Sequence, residues 1–402
     1  MKHNSNCGIC NGTDLVQVLD LGEMPLANAF ITKAEFADEK KYPLRVYFCR
    51  TCKSVQLLDI IDPEIVFKKY EYLTSASKPL SDHFVKMGKD LCNDFNITAK
   101  DMVVEIGGND GVLLDAIKDR CFVVNVEPAR NPAQLSCEKG IKTIEEFFDS
   151  SLADDIWQLT GSAKLIVANN VMAHIENIRD TFKGVKIMLA EDGVFVFEVH
   201  WLGNLVGTGG FDQIYHEHIF YHSLTALKYL VESVGLHIFD VEKVPIHGQS
   251  LRVFVATDRQ VRPTVQKLIF EERDLGLDRE ETFTAFQDKI FRNKKVLVEM
   301  CRMFRRERKS IVGYGAPAKG NTLLNYYQLP LDYIVDTTPG KQGLYTPGMH
   351  IEVSPPERLL KDTPDCILIL AWNYADSILV KERDLIKQGV KFIIPVPEVR
   401  IV

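Results

Sequence analysis

Two pairs of cysteines near the beginning of the chain have the spacing of a metal site. Cys7 and Cys10 form the first Cys-x-x-Cys pair, and Cys49 and Cys52 form the second. Each pair can bend tightly enough to place two thiolates on one ion, and two pairs complete the closed tetrahedral site that structural zinc prefers. Disulfides and free thiols are the alternatives, but the other cysteines are isolated and suggest reduced thiols. The sequence therefore predicts a structural zinc ion with no open position for catalysis.

Histidines form a second cluster of reactive side chains. Four of the ten histidines lie between residues 200 and 222, and the centre of this stretch reads Tyr215-His216-Glu217-His218. Histidine is the usual general base near neutral pH, so the cluster favours acid–base chemistry. A metal site and a purely structural cluster remain as alternatives, although the spacing is not that of a His-Glu-x-x-His zinc motif.

A glycine-rich loop follows a short apolar run at 102–106. It reads Gly107-Gly108-Asn109-Asp110-Gly111, and about twenty residues later Glu127 and Pro128 end the next apolar run. Glycines let a ligand approach the backbone closely, and an acid at that strand end can accept the hydroxyls of a ribose. The loop departs from Gly-x-Gly-x-x-Gly, and its acidic character would repel a pyrophosphate but suits an amino acid. We therefore predict S-adenosylmethionine (SAM) rather than NAD, with a ligand-free strand–helix turn as the alternative.

Polar residues also end the third apolar run, at 165–170. Asn169 and Asn170 close this run, and His174 follows it. Because the carboxyl ends of parallel strands face the ligand crevice, the two asparagines are candidates for contact with SAM or substrate. His174 is either a ligand contact or a residue at the start of a helix.

A second glycine loop lies near residue 313. Gly313-Tyr314-Gly315 follows an apolar run, Lys319 lies just beyond, and Asp336 ends the next run. Backbone amides at the start of a helix attract phosphate, and a lysine adds charge, so the loop suits a diphosphate. An NAD(P) site with Asp336 on the ribose and a fold that only packs are the two alternatives.

The elements that must position these residues alternate between strand and helix. The predicted strands lie at 102–106, 122–128, 165–170, 193–199 and 251–257, and in a second series at 309–315, 331–336, 365–370 and 390–396. Helix-like segments separate them, and 264–308 reads as one long helix or a helix pair. Such alternation predicts an α/β protein with mostly parallel sheets. We place domain boundaries to give a zinc domain at 1–65, a SAM-binding core with a lead-in helix at 66–258, and an α/β substrate domain at 259–402.

Composition narrows the class of protein further. The chain has 402 residues and a net charge of −7, which argues against a nucleic-acid partner. Neither an apolar leader nor a run of about 18 apolar residues is present, so we expect a cytoplasmic protein without a membrane partner. The sequence does not set the oligomeric state, and a monomer is compatible with it.

Taken together, the motifs resemble the nucleotide-sugar C-methyltransferases of deoxysugar and branched-sugar biosynthesis. The resemblance covers nearly the whole chain and rests on the four cysteines, the run from Tyr70 to Ser77, the loop from Glu105 to Gly111, the Tyr215–His218 motif, and the run from Gly313 to Asn321. It implies a class I SAM-methyltransferase core with a Rossmann-like fold, an N-terminal zinc-binding domain, and a C-terminal Rossmann-like α/β domain. The implied reaction is methylation at C3 of a nucleoside-diphospho-4-keto-6-deoxy sugar through an enolate.

The resemblance also implies roles for individual residues. His218 would be the general base, with Glu217 and Tyr215 beside it, and Tyr72 would approach the sulfonium or the substrate. The implied SAM contacts are Tyr72, Ser75, Gly107, Asn109, Asp110, Glu127, Pro128, Asn169 and Asn170. The implied substrate contacts are His174, Ser250, Arg252, Gly315, Lys319 and Asn321.

One position departs from the family pattern. Gln249 stands in the run His247-Gly248-Gln249-Ser250-Leu251-Arg252, where the family often has glycine. This leaves the sugar configuration and the nucleotide base open. An O- or N-methyltransferase, an NAD(P)-linked sugar oxidoreductase and a non-enzymatic zinc-stabilised binding module are the alternative functions.

Overall fold

The computed structural model describes residues 1–67, 73–246 and 248–402. Within these ranges, no helix has both the length and the apolar character needed to cross a bilayer. The chain divides into two compact units, each built from three stretches. Unit 1 comprises 1–16, 48–202 and 219–278, and unit 2 comprises 17–47, 203–218 and 279–402. This division differs from the linear one predicted from the sequence, because two internal stretches pack with the C-terminal residues.

The N-terminal region is mainly short strands. They are β1 (Lys2–His3), β2 (Leu15–Met24), β3 (Tyr42–Cys49), β4 (Val55–Leu57) and β5 (Asp59–Ile60), followed by helix α1 (Pro63–Phe67). A 3₁₀ helix at Lys33–Asp38 lies between β2 and β3, and another follows at Thr74–Ala76. Strand β1 pairs with β5, and β2 is the neighbour of β3. The boundary between the units falls within β2 and β3.

The rest of unit 1 is an α/β core. Its elements are α2 (Lys78–Asp94), β6 (Met102–Ile106), α3 (Val112–Asp115), β7 (Phe122–Val126), α4 (Arg130–Glu138), β8 (Lys142–Ile144), α5 (Ser150–Thr160), β9 (Ala163–Asn169), α6 (Ile178–Met188) and β10 (Leu189–His200). After a stretch that holds α7 (Leu202–Thr208) and a 3₁₀ helix at Phe211–Gln213, it continues with β11 (Phe220–Tyr221), α8 (Leu224–Ser233), β12 (His237–Val244), β13 (Ser250–Ala256) and α9 (Pro263–Asp274).

Seven strands of this core form one sheet in the order β12-β13-β10-β9-β6-β7-β8. The five strands from β10 to β8 are parallel, and β13 is antiparallel to both of its neighbours. Strand β9 is buried along Leu165–Ala168, as expected for a central strand covered on both faces. The chain crosses the sheet between β6 and β9, so the carboxyl ends of these strands flank the switch point where ligands bind in such folds.

The C-terminal part of unit 2 is a second α/β fold. Its elements are α10 (Glu280–Arg306), β14 (Ile311–Tyr314), α11 (Ala318–Tyr327), β15 (Ile334–Val335), β16 (Val353–Ser354), α12 (Arg358–Lys361), β17 (Cys366–Ile369), α13 (Ala375–Lys381), α14 (Arg383–Lys387), β18 (Lys391–Ile394) and β19 (Arg400–Ile401). Two 3₁₀ helices, at Pro339–Lys341 and Trp372–Tyr374, complete it. The sheet order is β16-β15-β14-β17-β18-β19, with only β19 antiparallel.

Two helices differ in length from a simple reading of the sequence. The segment 264–308 is the helix pair α9 and α10, and Gly276 separates them with a φ of +70° that glycine adopts readily. Helix α3 ends at Asp115, whereas the sequence after the glycine loop predicts a helix from Val112 to Asp119. The amides of Ala116 and Ile117 bond three residues back rather than four, so the helix continues only as 3₁₀ turns.

Candidate active site

The four cysteines of the two pairs meet in unit 1. Their sulfur atoms all lie within 4.8 Å of one another, with Cys7 and Cys52 at 3.5 Å and Cys10 and Cys49 at 3.5 Å. A thiolate is the form that binds zinc, and four thiolates satisfy a tetrahedral ion completely. The donor set therefore fits structural zinc, as predicted.

The glycine loop between β6 and α3 packs tightly on the residues beneath it. Gly107 and Gly111 have φ values of +65° and +74°. A Cβ on Gly108 would lie 2.4 Å from Asn125 Oδ1 and 2.9 Å from Glu105 Oε2. Because these are buried polar atoms beneath the loop, a side chain at position 108 would displace them.

Glu127 lies at the end of β7 and closes the loop from below. Its carboxylate accepts hydrogen bonds from the amides of Asn109, at 2.9 Å, and Ala129, at 2.8 Å. Burial raises the pKa of Glu127, whereas these two amides lower it. The side chain is thus held at the place where an acid can accept ribose hydroxyls in such folds, and Pro128 directly follows it.

Asn109 and Asp110 also stabilise the loop, through side-chain hydrogen bonds to the backbone of a preceding segment. Asn109 Oδ1 accepts the amide of Thr74 at 2.9 Å, and Asp110 Oδ1 accepts the amide of Ser75 at 3.4 Å. Asp110 is buried and also pairs with Lys139 at 3.2 Å. The segment that contains Ser75 is therefore tied directly to the glycine loop, and the Asp110 carboxylate is already paired with a cation.

Two residues at the carboxyl edge of the parallel strands have properties that the sequence did not predict. Burial raises the pKa of Glu105 to about 8, the amide of Asn169 lowers it, and the carboxylates of Glu127 and Asp110 raise it further. Glu105 can therefore hold a proton at neutral pH beneath the loop. Asn170 Oδ1 is buried and has no hydrogen-bond partner among the described residues. A polar atom left in this way at the carboxyl edge fits a bound ligand such as SAM.

We expect Glu127→Ala to weaken SAM binding by roughly 1.5–3 kcal/mol, because the substitution removes a charged hydrogen-bond acceptor. Isothermal titration of SAM measures the change. Glu146→Ala removes an exposed acid nearby and serves as the control. Equal affinity of the Glu127 variant and the wild type would mean that another residue holds the ribose.

The predicted base belongs to unit 2 and is paired with a tyrosine. Tyr215 Oη lies 2.8 Å from His218 Nε2, and His218 Nδ1 lies 2.8 Å from the carbonyl oxygen of Gln213. A carbonyl can only accept, so Nδ1 carries the proton and Nε2 of the neutral ring is the basic atom. Tyr215 then donates its hydroxyl proton to Nε2. The backbone thus sets the tautomer that a general base needs.

Glu217 lies beside this pair in the chain and has a partner that the sequence analysis missed. The side-chain amide of Asn28 donates to both carboxylate oxygens, at 2.9 and 2.7 Å. Burial raises the pKa of Glu217 to about 7, whereas Asn28 and the charge of Lys341 lower it. Asn28 is 189 residues away in sequence, and no local pattern connects it with Glu217.

Asn28→Ala should raise the pKa of Glu217 above 7, because it removes two hydrogen bonds that favour the ionised carboxylate. If turnover needs the carboxylate, the acidic limb of the pH profile of kcat/KM moves to higher pH. In Glu217→Gln the titrating group is gone, and the same substitution at residue 28 should leave the profile unmoved. A profile that shifts equally in both backgrounds would exclude Glu217 as the group affected.

At the second glycine loop, the lysine that the sequence predicts to bind phosphate already contacts neighbouring side chains. Lys319 contacts Asn373 Oδ1 and lies 4.1 Å above the ring of Trp372. Burial lowers the pKa of Lys319 to about 8, and the charge of Asp212 raises it. Trp372 in turn donates to Asp212 Oδ2 at 2.5 Å. The lysine is therefore engaged with its neighbours inside unit 2.

Asn321 and Gly315 show how this loop is held. The amide of Asn321 donates to the carbonyl oxygen of Ala27 at 2.7 Å, and its Oδ1 is buried with no partner among the described residues. Gly315 has a φ of +81°. Asp336 accepts the amides of Ala316, at 2.6 Å, and Thr338, at 2.8 Å, so its carboxylate closes the loop.

The remaining predicted substrate residues lie in unit 1. Arg252 pairs with the buried Glu198 at 2.8 Å, and Glu198 also lies 2.9 Å from His83 Nε2. Ser250 Oγ donates to the carbonyl oxygen of Ile246 at 3.1 Å. His174 lies near enough to His222 to lower its pKa, which falls to about 4 mainly through burial.

Gln249 has a φ of +101°, in the left-handed region that favours glycine, which is the residue the family often has there. Tyr72 lies outside the described residues, as does His247. The role predicted for Tyr72 remains a prediction.

The sheet order, the glycine loop and the acid at the end of β7 define a class I SAM-dependent methyltransferase that carries a zinc module. Three family models match the chain: a zinc binding domain at residues 7–67, a methyltransferase domain at 84–241, and a C-methyltransferase C-terminal domain at 245–397. The chain is 36% identical to the C-methyltransferase NovU of Streptomyces niveus over 405 aligned positions, which cover 98% of this chain and 96% of NovU. It therefore belongs to the C-methyltransferase family, with SAM as methyl donor and zinc as structural metal.

Solved methyltransferase structures are also similar to part of the chain. A SAM-dependent methyltransferase from Clostridium acetobutylicum is 12% identical with a TM-score of 0.35, covering 49% of this chain and 96% of that one. The magnesium protoporphyrin IX methyltransferase of Synechocystis, with bound SAM, is 11% identical with a TM-score of 0.34, covering 44% of this chain and 79% of that one.

Proposed function

We propose that the chain methylates C3 of a nucleoside-diphospho-4-keto-6-deoxy sugar through an enolate. The observation that carries this proposal is the Tyr215–His218 pair, in which the Gln213 carbonyl fixes the tautomer with a basic Nε2. Methylation at carbon needs a carbon nucleophile, and a ketone next to C3 makes that position acidic enough for an imidazole to deprotonate.

The proposed steps assign one task to each residue. The C3–H bond breaks, its proton passes to His218 Nε2, and its electron pair moves into the ketone to give an enolate. Nε2 of a neutral imidazole has one lone pair, so the Tyr215 hydroxyl must turn away from Nε2 before the proton arrives, and it can then donate to the developing oxyanion. SAM, when bound, supplies an electrophilic methyl group on sulfur. The enolate carbon takes this methyl group as the carbon–sulfur bond breaks, and its electron pair stays on sulfur.

We propose that the loop from Gly313 to Asn321 holds the diphosphate. The first amides of α11 have no partner within the helix and point toward an anion at its N-terminus. Lys319 can add charge only if phosphate replaces its contact with Asn373.

The oxidoreductase alternative has weaker support. It assigns Asp336 to the ribose of NAD(P), but the chain belongs to the C-methyltransferase family, whose C-terminal domain model matches residues 245–397. An O- or N-methyltransferase would use the same neutral histidine to take a proton from oxygen or nitrogen, but it breaks no C–H bond, so retention of the C3 hydrogen distinguishes it.

The test is methyl transfer from SAM to a panel of nucleotide-linked 4-keto-6-deoxy sugars, followed by mass spectrometry and repeated in deuterated water. A product methylated at carbon with loss of the C3 hydrogen supports the proposal. Methylation at oxygen or nitrogen, with the C3 hydrogen retained, would overturn it. NAD(P)H binding without SAM binding would favour the oxidoreductase.

A further inference from the structure

The turn that precedes the predicted base contains the carbonyl group that fixes its tautomer. This turn is the 3₁₀ helix at Phe211–Gln213, and it belongs to unit 2 together with His218. The Gln213 amide donates to the carbonyl oxygen of Gly210 at 3.1 Å, and the Gln213 carbonyl oxygen lies 2.8 Å from His218 Nδ1. Because this carbonyl can only accept, its position decides which way the imidazole faces. The contacts that hold the turn in place therefore also hold the base.

Asp212 lies at the centre of the turn and is completely buried. Its Oδ2 accepts a hydrogen bond from Trp372 Nε1 at 2.5 Å. Burial raises the pKa of Asp212, whereas the charge of Lys319 and the indole N–H of Trp372 lower it. A carboxylate that is buried without its donor destabilises its surroundings, so loss of the indole N–H would favour a turn that moves toward another donor.

Aromatic packing holds the same turn against the C-terminal α/β fold of unit 2. The Phe211 side chain is fully buried, and its ring stacks on that of Tyr327 in α11, with the two centroids 5.1 Å apart. A Cβ at Gly210 would lie 3.7 Å from Trp372 Cζ2, so the indole also packs against the chain that enters the turn. These apolar contacts fix where the turn lies. The Asp212–Trp372 hydrogen bond is more directional than they are, and it fixes the rotation of the turn.

We infer that Asp212 is a positioning residue for His218, acting through its hydrogen bond with Trp372 and through the carbonyl group of Gln213. The inference rests on the proposed function, because it takes His218 as the base, and all of its contacts lie within unit 2. Lys319 Nζ lies 4.1 Å from the centroid of the same indole. Trp372 therefore contacts both the turn that orients the base and the loop proposed to hold the diphosphate. A small displacement of the base from its productive position slows proton transfer strongly.

The test compares Trp372→Phe with Trp157→Phe. The first variant removes the indole N–H and keeps an aromatic ring beside Lys319, and the second changes a tryptophan that is 46% exposed on α5. For Trp372→Phe we expect kcat to fall by about ten- to a hundredfold, while KM and SAM affinity stay within about twofold. Deuterium uptake at C3 of the sugar without SAM should fall in parallel with kcat. Trp157→Phe should match the wild type in all four measurements.

The tautomer of His218 gives a second readout that does not depend on turnover. Nitrogen-15 NMR of histidine-labelled protein distinguishes a proton on Nδ1 from one on Nε2, and the His218 signals are those missing in His218→Asn. We expect the proton on Nδ1 in the wild type and in Trp157→Phe, and a mixture of both tautomers in Trp372→Phe. A role in stability alone would lower the unfolding temperature without changing the tautomer of the folded protein, and that result would overturn the inference.

Substitutions of Asp212 show whether the hydrogen bond carries the effect. Because Asp212→Ala and Trp372→Phe break the same bond, the double variant should be about as slow as Asp212→Ala alone. Asp212→Asn keeps an oxygen that can accept the indole N–H, so it should retain several-fold more turnover than Asp212→Ala. Effects of the two single variants that multiply in the double variant, or an Asp212→Asn as slow as Asp212→Ala, would contradict a positioning role through Trp372.

The inference and the proposed function fail in different ways. An inactive His218→Asn combined with wild-type kcat and an unchanged tautomer in Trp372→Phe would leave the base in place and remove only the role of Asp212. A changed tautomer in Trp372→Phe with wild-type kcat would show that His218 is not the base. That second result would overturn the proposed function and this inference with it.

Discussion

Replacing His218 with asparagine should lower turnover by about a thousandfold or more, because the variant lacks the only basic ring nitrogen of the Tyr215–His218 pair. SAM affinity should change little, since His218 is not among the residues assigned to SAM. Single-turnover methyl transfer and SAM titration measure the two effects separately.

His216→Asn is the matched control for this substitution. His216 is two residues away and its Nε2 lies 3.3 Å from the carbonyl oxygen of Tyr42, a contact within unit 2 that is unrelated to Tyr215. We expect it to keep most of the wild-type turnover. If both histidine variants lost activity equally, the effect would reflect packing of this stretch rather than loss of the base. Wild-type turnover in His218→Asn would show that another group removes the proton.

Replacing Cys52 with serine should remove zinc and cost about 4 kcal/mol or more of stability, as expected for loss of a structural metal. Cys52 is buried, and its sulfur lies 3.5 Å from that of Cys7. A neutral hydroxyl cannot replace a thiolate on zinc. The midpoint of thermal unfolding should fall by roughly 10 °C, and metal analysis should show substoichiometric zinc.

Cys137→Ser provides the control, because Cys137 is an exposed free cysteine outside the cluster. Its zinc content and unfolding midpoint should match those of the wild type. Full zinc content and an unchanged midpoint in Cys52→Ser would mean that the four-cysteine cluster does not depend on this ligand.

Local sequence patterns were sufficient to predict the strands of the core and the grouping of residues that lie close together in the sequence. The apolar runs at 102–106 and 165–170 became β6 and β9, and the four cysteines meet as their spacing predicted. In such cases the information lies within a few residues. Helix α3 and strand β15 proved shorter than the patterns, because hydrogen-bond geometry decides where an element ends.

Partners that are distant in sequence could not be predicted. Asn28 reaches Glu217 and Asn321 reaches Ala27 only because the chain brings separate stretches together within unit 2. The same holds for Lys319, whose pattern suggested a phosphate ligand but whose neighbours are Trp372 and Asn373. Burial and pairing of a charged side chain depend on the whole unit, which a motif does not contain.

The discontinuous composition of unit 2 has a consequence for biosynthesis. Stretches 17–47 and 203–218 pack with residues 279–402, which leave the ribosome after both of them. Contacts of such long sequence separation form late, because closing a long loop carries an entropic cost. The seven-stranded sheet of unit 1 can form while the C-terminal residues are still being translated. The tyrosine–histidine pair therefore reaches its final packing only after residues 279–402 have been translated, so a nascent chain, or one truncated within these residues, is expected to fold a SAM site before it acquires a working base.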